Sequence, residues 1–345
     1  MHNFATNFIA MSRRTVAWTV LTAASVLLVL LCLFTGSVDI PYGETFNILT
    51  GGTSSNAAWN HILIELRVPA TVTAALTGAA LGVAGLLLQT TFNNPLAGPS
   101  ILGVSTGASL GVAVIMLALP RFTGSPVVAI AGAAAGAMAV MALLLGFSSL
   151  VRSAMMLLIV GIMISYLTSS IIALLNFYAT QEGVHSFVIW GLGDFNGVGL
   201  RWLGLYSGLC LLLIAASFLL VKPLNALLLG ERYAADVGTD VVRTRNFIFL
   251  ISGLLIALTT AFCGPIGFIG LAIPHIARII FRTSNHRTLL PAIIVTGAAT
   301  GLLTLYLSTV GRTRGTIPIN ALTPVIGVPV VIYIILNRRK LSYFN

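Results

Sequence analysis

Charge is nearly missing from this 345-residue sequence: 8% of its residues are Asp, Glu, Lys or Arg, where soluble domains carry about 25%. No charge falls between Arg67 and Arg121, Arg121 and Arg152, Arg152 and Glu182, Arg201 and Lys222, or Arg245 and Arg278. Each gap holds at least one bilayer crossing of roughly 20 residues, which excludes a soluble fold. The eight acids all map to loops or span ends. Carriers driven by ion gradients usually place carboxylates inside the membrane, so that form of energy coupling lacks its residues here. With Lys222 and Lys340 as the only lysines, no Gly-x-x-x-x-Gly-Lys phosphate loop can be drawn. Cys32, Cys210 and Cys263 are scattered and odd in number, which gives neither a disulfide framework nor a metal site and leaves them as small apolar fillers. Catalytic, cofactor and metal residues are therefore not expected.

What is abundant is apolar: 57% of the residues, with a formal charge of +10. Apolar runs bounded by charges, prolines or polar clusters mark about ten crossings, near 15–37, 66–91, 101–119, 126–148, 154–177, 202–221, 246–263, 267–281, 289–309 and 318–337. They are too long and too little alternating for barrel strands, so the fold class is all-α and polytopic. Ser12-Arg13-Arg14-Thr15 faintly resembles a twin-arginine export signal, but the uncharged run behind it reaches Val38 and reads as a retained first span. With ten spans and both termini cytoplasmic, 13 of the 18 bases and three acids fall inside, and five bases face five acids outside. Topology thus accounts for the whole positive excess, and nucleic acid is not needed as a partner.

Glycines recur at GxxxG spacing, at Gly78/Gly82, Gly103/Gly107/Gly111, Gly132/Gly136 and Gly297/Gly301. This spacing lets helix backbones close up, and packing within one subunit is the expected use. Gly98-Pro99-Ser100-Ile101-Leu102-Gly103 after span 2 echoes Gly264-Pro265-Ile266-Gly267-Phe268-Ile269-Gly270 after span 7. An inverted repeat of spans 2–5 against 7–10 would place the copies on opposite faces. His275, beside Pro274, reads as a hydrogen-bonded structural histidine. The longest inner segment, 222–245, should form two short helices hinged at Gly230 and stopped at Gly238. Its apolar edge around Leu227-Leu228-Leu229 suits a docking protein better than a solvated loop would.

These residues resemble the FecCD-type permeases of type II ABC importers over Leu66 to Leu336. The matching stretches include Leu66-Arg67-Val68-Pro69, Asn94-Pro95-Leu96-Ala97-Gly98-Pro99, Trp190-Gly191-Leu192-Gly193, Leu229-Gly230-Glu231, and Gly264 to Leu271 followed by Pro274-His275-Ile276-Ala277-Arg278. The resemblance implies a single permease domain over 1–345, with a cytoplasmic tail at 1–14 and an ATPase-coupling loop at 222–245. It also implies a homodimer in the lipid bilayer of the inner membrane, two ATP-binding cassette subunits inside, and a substrate-binding protein outside. Under it, Leu229, Gly230, Glu231, Ala234, Ala235 and Gly238 form the coupling loop, and Arg67, Arg312 and Arg314 dock the binding protein. The joint Ser148 to Met155 resembles a cytoplasmic gate, with Ser153, Ala154 and Met155 as gate residues. Two departures stand out: Ala70 replaces a frequent second arginine, and Thr316-Ile317-Pro318-Ile319-Asn320 replaces Glu-Leu-Pro-x-Gly. The expected activity is ATP-driven import of an iron complex, siderophore or haem, without covalent chemistry. Cobalamin is the alternative cargo, and a gradient-driven carrier acting alone is the rival.

Overall fold

A backbone amide left unpaired in hydrocarbon is expensive, so a chain this apolar closes its hydrogen bonds within helices. The computed structural model describes residues 2–54, 56–122, 124–151, 153–309 and 316–337, and no strand occurs among them. Ten apolar segments run through it. The first is α1 (His2–Phe34); after the short α2 (Tyr42–Leu49) and α3 (Ala57–His61), a π-helical turn at Ile62–Arg67 leads into α4 (Val68–Thr91). Next come α5 (Val104–Ala113), which ends in a π turn at Val114–Ala118, then α6 (Pro126–Leu150) and α7 (Ala154–Tyr178). The short α8 (Gln181–Gly191) precedes α9 (Leu200–Ser217), α10 (Val221–Leu227) and α11 (Glu231–Asp236). The chain then forms α12 (Val241–Cys263), α13 (Ile269–Phe281), α14 (His286–Thr309) and α15 (Ile319–Asn337). Among the described residues seven helical segments are long and apolar enough to span a bilayer, and three shorter apolar ones lie at 104–118, 269–281 and 319–333.

The segments lie at the positions of the ten sequence-derived apolar runs. Residues 2–14 are helical as the start of α1, because no proline or glycine interrupts the chain before Gly36. The connections between the runs hold α2, α3 and α8, whose apolar stretches are too short to register as crossings.

The packing is mirrored about α4 and α12. α4 packs on α14, and α12 on α6; α5 packs on α6 and α7, and α13 on α14 and α15. α4 also meets α13 as α12 meets α5, and α4 and α12 pack on each other. This is the pattern that spans 2–5 set against spans 7–10 must produce. The helices α5 and α13 each follow a left-handed residue, Gly103 (φ 79°) and Phe268 (φ 62°).

Small residues let these pairs close, since lipid supplies no hydrophobic drive for helix association. A Cβ on Gly85 would lie 1.7 Å from the Gly270 carbonyl oxygen, and one on Gly78 2.1 Å from that of Gly297. Gly111 meets the Gly132 carbonyl in the same way. The GxxxG stretches therefore seal α4 to α14 and α5 to α6 within one chain. Buried hydroxyls bond back along their helices, as Thr91 does to Leu87 at 2.8 Å and Thr296 to Ala292 at 2.7 Å. The three cysteines are free and buried.

Candidate functional site

One end of the bundle carries the α10/α11 hairpin. Pro223 falls in the first turn of α10, where its missing N–H costs little. Gly230 breaks the chain at φ 104°, and Glu231 then opens α11 with its carboxylate near the positive helix end. α11 stops in a Schellman turn, the Thr239 N–H reaching Ala234 O and the Gly238 N–H reaching Ala235 O, both at 2.9 Å, with Gly238 at φ 84°. This is the hinge and stop expected from the sequence.

Leu229, Gly230, Glu231, Ala235 and Gly238 are exposed, whereas Ala234 is wholly buried beneath α11. Leu229 is 66% exposed, Tyr233 48% and Val237 55%. The hairpin thus offers an apolar edge flanked by Glu231, Arg232 and Asp236, with Ala234 as its underside.

α12 leaves this hairpin from Asp240, whose carboxylate accepts from the Arg243 N–H at 3.0 Å. The buried Arg245 donates to the carbonyls of Ser148 and Val151, each at 3.2 Å, and Ser148 donates to Asn246 at 2.6 Å. The α6–α7 joint is therefore strapped to the start of α12. Beyond the joint Ser153 is exposed, Ala154 is buried, and Met155 and Met156 are exposed. Arg152 lies outside the described residues.

At the opposite end Arg67 is buried, with its guanidinium donating to the carbonyls of Leu33, at 3.0 Å, and Val38. It packs over Gly36, where an added Cβ would fall 2.8 Å from the guanidinium. Glu65, two residues before Arg67, pairs with His61 at 3.2 Å. Arg67→Ala is expected to lower stability by about 2 kcal/mol, since the buried guanidinium's packing is lost and two part-buried carbonyls lose their donors, and the thermal midpoint in detergent measures it. Arg312 and Arg314 lie outside the described residues.

Beside Arg67 a cavity of about 560 Å³ is bordered by Thr71, Asp194, Asn196, Ser308 and Thr316. Asn320 closes its neighbourhood: its amide donates to the carbonyls of Gly191, at 2.8 Å, and Pro265, and accepts from the Gly267 N–H at 3.1 Å. One side chain thereby ties α8, the α12–α13 loop and α15 together. Sequence reasoning noted only that asparagine stands there in place of a glycine. His275 is buried and donates to Pro95 O at 2.7 Å, in keeping with its structural reading.

The FecCD transport family matches residues 24–337. The chain belongs to the FecCD family. The vitamin B12 import system permease protein BtuC of Citrobacter koseri is 32% identical over 347 residues, covering 99% of this chain and all of the relative. BtuC of Photorhabdus laumondii is 36% identical over 279 residues, covering 81% of this chain and 82% of its own. A solved metal-chelate-type ABC transporter in an inward-facing conformation has a TM-score of 0.79 at 28% identity, covering 93% of this chain and 99% of its own. As a FecCD permease the protein is a multi-pass inner-membrane transport subunit of an ABC importer.

Proposed function

We propose that this permease works as a homodimer with two ATP-binding cassette subunits on the α10/α11 end and a substrate-binding protein at the Arg67/Asn320 end, and that its cargo is a corrinoid of the vitamin B12 class. One observation supports the cargo: permeases named for vitamin B12 import match the chain end to end. That order reverses the expectation from sequence, which put iron complexes first. An iron chelate is the second reading, favoured by the metal-chelate-type structural neighbour. The clustering of Arg232, Arg243, Arg245, Arg278, Arg282 and Arg287 on the hairpin end supports its lying in the cytoplasm.

In this reading the ATPase grips the edge of Leu229, Tyr233 and Val237, and its movement passes through the hairpin to α12 and the α6–α7 joint. Ser153, Ala154 and Met155 close the inner gate against a second copy. Arg312 and Arg314 meet the binding protein, while Arg67 holds the end of α1. Reversing Arg312 and Arg314 to glutamate should weaken capture of the binding protein, most at low salt, without moving the thermal midpoint. Unaltered capture would remove them from the interface.

The cargo test is uptake into proteoliposomes holding this permease, its ATPase and its binding protein. ATP-dependent accumulation of vitamin B12 is expected, with little of ferric siderophore or haem. Preferential uptake of an iron complex would reverse the order of the two readings, and accumulation without ATPase or nucleotide would overturn both.

A further inference from the structure

The hairpin is joined to the membrane helices by a second connection, part-buried at Asn225 and buried at His286. Asn225 on α10 accepts from the backbone N–H of His286, at the first residue of α14, at 2.9 Å. That bond fixes which end of the Asn225 amide is oxygen. The same oxygen lies 2.9 Å from His286 Nδ1, so Nδ1 carries the proton. Nε2 is then the acceptor for the hydroxyl of Thr90, at 2.9 Å, near the end of α4. The Asn225 amide group donates to Asn285 at 3.1 Å.

His286 is wholly buried, and a neutral ring satisfies both of its nitrogens. The preceding residue of α4 makes a second polar contact. Gln89 donates to Leu271 O at 3.1 Å and accepts from Arg278 at 2.8 Å, both on α13. Three polar side chains are thus bonded in series from the hairpin through α14 to α4, and a separate Gln89–Arg278 pair joins α4 to α13, a short helix that follows a left-handed turn. Buried polar networks of this kind are rigid when complete, and one missing member leaves its neighbours unpaired.

We propose that the Asn225–His286–Thr90 clasp transmits the hairpin's movement to the paired helices α4 and α14, with His286 as its positioning residue. The proposal rests on the reading of α10/α11 as the ATPase socket. A hairpin free of the clasp would move under the ATPase without carrying α4 and α14 along. Binding and hydrolysis would then continue while transport fell.

The test uses the full complex in proteoliposomes, with vitamin B12 as cargo, and compares His286→Ala, Thr90→Val and Asn225→Asp with the unaltered chain. Thr90→Val keeps the shape of α4 if His286→Ala does not fold. Asn225→Asp keeps an oxygen that can accept both His286 bonds. Expected is a fall of about tenfold in cargo moved per ATP hydrolysed for His286→Ala and Thr90→Val. ATPase association should stay near the unaltered value, the thermal midpoint should fall only by what one or two lost buried hydrogen bonds cost, and Asn225→Asp, which keeps the acceptor but loses the bond to Asn285, should retain more coupling than either.

Unchanged uptake per ATP would overturn the proposal. So would a parallel fall of uptake, hydrolysis and thermal midpoint, which marks a merely structural contact. An unaltered complex that moves no vitamin B12 would instead count against the cargo reading. Coupling would then be read from stimulation of hydrolysis by the binding protein, with the same expected tenfold loss.

Discussion

Changing Leu229 and Val237 together to aspartate is expected to abolish ATP-driven uptake while leaving the permease folded. Both side chains are more than half exposed on the hairpin edge, so their loss removes little internal packing. Burying two carboxylates against an apolar partner is costly. A central apolar anchor is commonly worth 2 kcal/mol or more, roughly thirtyfold in affinity for each. Co-purification of the ATPase should therefore fall by at least about a hundredfold, with the thermal midpoint of the permease unmoved. Retained co-purification would show that the ATPase sits elsewhere. Ala234→Leu should behave differently: Ala234 is wholly buried, so a larger side chain there overpacks the hairpin and lowers stability by about 1–3 kcal/mol.

The largest effect on folding is expected at Gly78. A valine there would drive its Cβ to 2.1 Å from the Gly297 carbonyl oxygen and 2.9 Å from its carbon, both backbone atoms. Neither can swing aside, so α4 and α14 must separate along the seam that also holds Gly301. A loss of about 3 kcal/mol or more is expected, seen as a collapsed yield of monodisperse protein in detergent. Gly208→Ala supplies the control, since no atom lies within 4 Å of a Cβ built there. It should be neutral or slightly stabilising, because alanine costs less than glycine within a helix. Equal damage from both would mean that the α4–α14 seam is not where the glycines act.

The apolar runs alone placed the apolar helices, because a bilayer leaves few ways to bury an unbroken apolar segment. The hinge at Gly230 and the stop at Gly238 were legible too, since only glycine takes those backbone angles without strain. The short helix α8 was not. Its eleven residues mix Glu182 and His185 with apolar positions, and its start is marked only by Thr180 accepting from the Gly183 N–H.

The clasp was out of reach for a different reason. Thr90 and His286 are 196 positions apart, and neither residue type announces a partner. Arg67 shows how a correct local observation can conceal its structural use. A lone arginine at a helix end suggests docking or anchoring, yet its guanidinium is set against two carbonyls and a glycine that only the folded chain brings near.

The seam between α4 and α14 also bears on how the protein is made. About 200 residues separate the two helices, and at roughly 5–20 residues per second the ribosome needs some 10 to 40 s to span that distance. Throughout that interval α4 stands in the membrane with its small-residue groove open to acyl chains. Biogenesis therefore passes through a stage in which the future centre of the molecule is temporarily its surface, and membrane-bound proteases have their best access before α14 emerges.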